Sequence, residues 1–168
     1  MIKNNLLAFV LMFFYHSSFS QKKITWMTIN ELNAVYQTKP KKILFEVFSK
    51  DCHYCHDMDE KIFSNQLIAN YINNTFYAVK LDAFDKTSIN LGGYQYESKD
   101  GMNPLAKHLL KGNIKFPTLI FIDEKLHKIN HLEGFNTLSN INLALHYFGD
   151  DAYKTTDWSA FQQSFGKQ

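Results

Sequence analysis

Two cysteines, Cys52 and Cys55, are the only ones in the chain, and they stand two residues apart in "FEVFSKDCHYCHDMDEKIF". His53 and His56 follow them directly. Sulfurs at this spacing can close a small redox disulfide, supply two ligands to zinc, or anchor a c-type haem through C-x-x-C-H. A structural disulfide is a fourth possibility, but so short a closed loop gains little entropic stabilisation.

Context separates these chemistries. For haem, His56 would be the proximal ligand and Met102 a distal one. The motif, however, follows a buried strand and more strands come later, whereas small c-type cytochromes are mostly helical. For zinc, His53 and Cys55 alternate badly around one tetrahedral centre, and a second cysteine pair is missing. His108, His127, His131 and His146 form no ligand spacing. Neither a metal nor another cofactor is therefore expected.

A redox pair needs a strand that delivers Cys52 to the start of a helix. There its sulfur meets free backbone N–H groups and the positive end of the helix dipole, which favour thiolate. Cys55, one turn further in, can then attack a mixed disulfide and release the partner. Cys52 is the expected nucleophile and Cys55 the resolving thiol. Glu46 lies six residues before Cys52 inside an apolar strand. A buried carboxyl with a raised pKa could take the proton of Cys55, directly or through water. A protonated His53 would stabilise a Cys52 thiolate, so it is the expected redox tuner. Asp51 works the other way by like-charge repulsion. His56 reads as a surface helix residue.

The elements that would position these groups can be read along the chain. "TINELNAVYQTKPK" is an expected helix capped by Thr28 or Asn30, with Leu32, Val35 and Tyr36 as its stripe and Pro40 as its stop. Residues 42–49 and 76–83 are apolar runs expected as buried strands. Between them "CHYCHDMDEKIF" puts Cys55, Met58 and Ile62 on one helical face, with Asp57, Asp59, Glu60 and Lys61 facing water. A second stretch with Ser64 as cap turns Leu67, Ile68, Tyr71 and Ile72 inward. The order suggests a parallel βαβ unit. Residues 84–102 are expected to be a long loop with a short strand at "YQY". Asn103, Pro104 and Gly112 bound a short helix. A strand entered through Pro117, an antiparallel return, a covering helix and a tail helix through Trp158, Phe161 and Phe165 complete the chain.

Composition sets the frame. With 168 residues, 45% apolar and 20% charged, one globular domain is expected. The net charge is +2. All the basic residues are lysines, so a nucleic-acid groove built on arginine forks is not expected. Residues 1–20 read as a signal peptide. Lys3 precedes the apolar "LLAFVLMFF", and Ser18 and Ser20 sit at the minus-three and minus-one places of a cut before Gln21. The apolar run is too short to span a bilayer, and with no cysteine near the cut a lipid anchor is not expected. The mature protein would then sit in the periplasm or be secreted, without stable membrane insertion, where disulfides persist.

Over about residues 24–148 the chain resembles the thioredoxin superfamily, and most its exported thioredoxin-like branch. "ILFEVFSKDCHYC" matches the family's strand leading into C-x-x-C, and the family's buried acid falls on Glu46. Cys55, His56, Met58 and Phe63 match the pattern of a second cysteine followed by a basic residue, x-Met and a later Phe. Pro117 of "KFPTLIFID" falls on the family's cis-proline, and Gly134 on the glycine after the next strand. Asp51 stands where the family usually has tryptophan, and His-Tyr separates the cysteines where thioredoxin has Gly-Pro. The resemblance implies a three-layer α/β/α sandwich around a mixed central sheet. Residues 21–168 would form a single domain, with 84–102 inserted as a loop and 149–168 as a C-terminal extension. It also implies an exported thiol–disulfide oxidoreductase that reduces or exchanges disulfides. Pro117 would expose the backbone of Phe116 to an extended peptide. The implied partners are cysteine-bearing exported proteins and a thiol–disulfide electron donor. A non-enzymatic binding module with a structural disulfide is the alternative.

Overall fold

The computed structural model describes residues 23–97 and 101–166. The signal-peptide expectation for residues 1–20 lies outside them. The first strand, β1 (Trp26–Met27), leads into α1 (Ile29–Tyr36). Thr28 and Glu31 start this helix by capping each other. Thr28 Oγ1 accepts the Glu31 N–H at 3.2 Å, and Glu31 Oε2 accepts the Thr28 N–H at 2.7 Å.

The apolar run after Pro40 becomes β2 (Ile43–Phe48), followed by α2 (His53–Met58) and a π turn (Asp59–Phe63). Next come α3 (Gln66–Thr75) and β3 (Tyr77–Asp82). A hairpin of β4 (Ile89–Leu91) and β5 (Tyr94–Tyr96) precedes α4 (Pro104–Leu110). Strands β6 (Thr118–Ile122) and β7 (Lys128–Glu133) are followed by α5 (Leu138–Gly149). A 3-10 turn (Ala152–Lys154) and α6 (Trp158–Ser164) make up the C-terminal extension.

The five-stranded sheet runs β1–β3–β2–β6–β7, with β2 at its centre. β2 is parallel to β3 and antiparallel to β6, so the sheet is mixed. Side chains alternate across it. Leu44, Ala78, Leu119 and Phe121 meet Met58, Ile68, Ile72 and Leu145 of the layer formed by α2, α3 and α5. Ile43, Phe45, Val79 and Ile120 meet Leu32, Leu105 and Leu109 of α1 and α4 on the other face. These are the three layers of an α/β/α sandwich.

Three details depart from the sequence reading. The second stretch is capped by Asn65, not Ser64, and Leu67 is 77% exposed. Starting the helix at Gln66 puts Ile68, Ala69 and Ile72 on the core face and turns Leu67 away. The cysteine helix does not stay regular. Ser64 N–H donates to Asp59 O at 3.1 Å across the π turn. The extra residue lets Met58, Ile62 and Phe63 all be buried. Finally, the 84–102 segment is not simply a loop. Gly92 and Gly93 have φ of +61° and +82°, the two left-handed positions of a type I′ hairpin turn.

The far end of β2 is fastened by a buried lysine that the sequence reading did not single out. Lys42 Nζ donates to Gly149 O at the end of α5 at 2.7 Å and pairs with Asp151 at 2.9 Å. It thus satisfies a free helix carbonyl and carries positive charge to the negative helix end. Lys42→Met is expected to lower stability by about 2 kcal/mol, measured by urea unfolding. A loss below about 0.5 kcal/mol, the range of ordinary surface changes, would contradict this role.

Candidate redox site

β2 ends at Phe48 and the chain reaches α2 within four residues. Cys52 is the N-cap, with extended backbone (φ −84°, ψ 105°). Its Sγ accepts the Cys55 N–H at 3.1 Å. That is the bond an N-cap oxygen normally receives. The two cysteines form a disulfide with a Cα separation of 5.3 Å. Cys52 is half-buried and Cys55 is buried, so the nucleophile expected from the sequence is the more accessible sulfur.

Pro117 reaches the same end of the sheet by register. Val47 pairs with Thr118 across β2 and β6. Pro117 therefore lies beside the point where the chain leaves β2 for the cysteine turn. The Phe116–Pro117 bond is cis. Pro117 O accepts the Gly134 N–H at 2.8 Å, which ties the proline turn to the end of β7. Next to Gly134, Phe135 meets Tyr54 of α2 with ring centroids 6.3 Å apart.

Glu46 is fully buried in the central strand. By alternation it faces the α2 layer, as Leu44 does. Two residues missed in the sequence reading complete its surroundings. Lys80 is registered opposite Glu46 on β3, with its ammonium 3.3 Å from Glu46 Oε2. That ammonium donates instead to both oxygens of Asp59, at 2.6 and 2.5 Å. It also lies 5.2 Å from the ring centres of Trp26 and Phe48. Asp59 thus faces Lys80 rather than water alone. Neither Glu46 oxygen has a hydrogen-bond partner among the described residues. Burial pushes the carboxyl up, Lys80 pulls it back, Asp59 adds repulsion, and the result is a pKa of about 7. Lys80 could have been suspected as the one charge inside "FYAVKL". Its pairing with Glu46 is a matter of strand register.

His53 is placed in solvent, with its side chain 82% exposed and its Nε2 3.7 Å from Asp57 Oδ2. Asp57 also pairs with Lys61 at 3.0 Å. A charge on His53 is therefore shared with a carboxylate of its own helix. His56 Nε2 lies 3.1 Å from Lys50 O. Among the described residues, no group of three or more His, Cys, Asp or Glu could hold a metal ion.

The raised pKa of Glu46 carries a stability cost with a defined pH window. The group contributes stability below its ordinary value near 4.5, and that contribution is lost as pH rises through about 7. Glu46→Gln is expected to match the parent near pH 4.5 and to exceed it by up to roughly 3 kcal/mol at pH 8. Asp59→Asn removes a negative charge and frees Lys80, so the Glu46 midpoint should fall by about one unit or more. Carboxyl ¹³C titration of the disulfide form reads that midpoint. A midpoint near 4.5 in the parent, or no change in Asp59→Asn, contradicts the assignment.

Comparison with known proteins agrees with this fold. A family model described as Thioredox_DsbH, protein of unknown function, DUF255, matches residues 11–141. No curated protein matches the chain. Among solved structures, a thioredoxin-fold protein from Helicobacter pylori superposes with a TM-score of 0.57 at 16% identity, covering 74% of this chain and 80% of its own. A thioredoxin from Thermus thermophilus gives 0.55 at 16%, covering 74% and 85%. A DsbH oxidoreductase gives 0.52 at 17%, covering 86% and 94%. At these identities the likeness is one of fold. With its Cys-X-X-Cys disulfide at a helix start on that fold, the chain belongs to the Thioredox_DsbH family of the thioredoxin superfamily.

Proposed function

We propose that this protein is an exported enzyme that reduces or exchanges disulfides in other exported proteins through a mixed disulfide. The observation that carries the reading is the Cys52–Cys55 disulfide. Its outer sulfur caps a helix at the sheet end where a cis proline opens the neighbouring strand.

In the reduced enzyme, the Cys52 thiolate attacks one sulfur of the partner disulfide. The partner's S–S bond breaks, and its other sulfur leaves as thiolate and is protonated. Cys55 then gives its proton to Glu46, directly or through water, and attacks Cys52 Sγ. The mixed disulfide breaks, and the second partner sulfur leaves and takes up a proton. The partner gains two electrons and the enzyme becomes the Cys52–Cys55 disulfide. A dithiol donor, reduced in its own compartment, returns two electrons. A carboxyl near pKa 7 suits the proton step, because it can both accept and return a proton near neutrality. The Phe116 backbone next to the cis bond would pair with an extended partner segment. The DsbH oxidoreductase of similar fold supports this reading by its description as an oxidoreductase.

Cys52→Ser is expected to abolish reduction of insulin disulfides while folding is retained. Cys55→Ser should accumulate a mixed disulfide with the partner. Turnover unchanged in Cys52→Ser would overturn the reading, and no turnover in the parent would leave a binding module. Export is checked by N-terminal sequencing of protein recovered outside the cytoplasm. A start at Gln21 is expected, and protein confined to the cytoplasm with Met1 retained contradicts it.

A further inference from the structure

The turn that presents Cys52 is held from both sides. Within it, Cys52 N–H donates to Ser49 O at 3.1 Å, and His56 N–H donates to Cys52 O at 3.3 Å. On the β3 side, Lys50 Nζ lies 3.4 Å from Asp82 Oδ2. Asp82 in turn accepts the Phe84 N–H at 3.0 Å. On the helix side, the His56 ring reaches back across the whole cysteine motif to Lys50 O, at 3.1 Å. A carbonyl can only accept, so His56 Nε2 must carry the proton and donate.

We propose that His56 is a positioning residue of the redox site, and that its bond to the Lys50 carbonyl holds the turn in which Cys52 caps the helix. Cys52 Sγ receives the Cys55 N–H only while the turn stays closed over the helix start. A loosened turn gives the thiolate less of that donor and of the helix field, and so favours the disulfide over the dithiol. His56 acts through the backbone of Lys50, whether its ring is neutral or charged, because Nε2–H is present in both forms. The inference rests on the redox reading above and adds a residue to it.

Three variants and one spectrum test it. The equilibrium of the pair with glutathione is measured for the parent, His56→Ala and His56→Gln. The glutamine keeps an N–H donor at similar reach but has no imidazole charge. His56→Ala should shift the equilibrium toward the disulfide by about fivefold or more, the worth of one hydrogen bond, which is ~20 mV for two electrons. His56→Gln should stay within about twofold of the parent. Imidazole ¹⁵N shifts of the parent should show the Nε2–H form. An unchanged equilibrium in His56→Ala, an equal shift in both variants, or an Nδ1–H tautomer overturns the proposal. Cys52→Ser separates the two levels. If it keeps its turnover, the redox reading itself fails; if it is inactive and His56→Ala is unchanged, only the role of His56 fails.

Discussion

A sulfur atom occupies the place where a helix normally puts an oxygen. Cys52 caps α2, and its Sγ accepts the Cys55 N–H at 3.1 Å. Such a position supplies a fixed donor and a favourable dipole to any charge on that sulfur. The arrangement depends on β2. The strand must end at Phe48 so that the chain turns into the helix in time, and its centre must be held by neighbours on both sides. β3 and β6 hold that centre. The pairing of Val47 with Thr118 also brings Pro117 to the same sheet end. The register that buries the core thus assembles the site.

The same register sets up the buried charges. Glu46 and Lys80 face each other because β2 and β3 are parallel and aligned. Lys80 is nevertheless gripped by Asp59, which the helix run delivers from above. An ammonium shared unequally between two carboxylates leaves the more buried one poorly compensated. That is costly for folding, and it is the condition the proposed proton step needs, because a carboxyl fully neutralised by an ion pair would be too weak a base at neutral pH. The π turn belongs to this arrangement. It begins at Asp59 and lets both Ile62 and Phe63 reach the core.

The parts of the fold that were legible in the sequence are those where local chemistry and tertiary need agree. The apolar runs at 42–49 and 76–83, rich in β-branched and aromatic residues, read as buried strands and are so. Asn103 with Pro104 marked a helix start, and Glu46 stood out as a lone charge. The fold could therefore be expected, and the matching family and solved structures agree with it; the two cysteines close as a disulfide in the structure itself. What stayed hidden depends on distances between elements. Lys80 is one polar residue in a strand until its register is known. Asp59 reads as solvated on the helix surface until the packing of the helix on β3 brings Lys80 to it. The hairpin was signalled by Gly92 and Gly93, but its strands are only three residues each, too short for alternation to show. Leu67 read as core because a one-residue shift in the helix start exchanges its face with that of Ala69. His56 read as surface, and it is exposed; its bond to Lys50 O follows from the turn geometry alone.

The claim on which the chemistry stands is that Cys52 is an anion near neutral pH while Cys55 keeps its proton. The direct measurement is the pH dependence of iodoacetamide alkylation of the reduced protein, with each cysteine followed separately by peptide mass. One thiol, Cys52, should react with a midpoint at least about one unit below the free value near 8.5, and Cys55 should lag well behind it. Two thiols that both titrate at or above about 8.5, or Cys55 reacting first, would contradict the account.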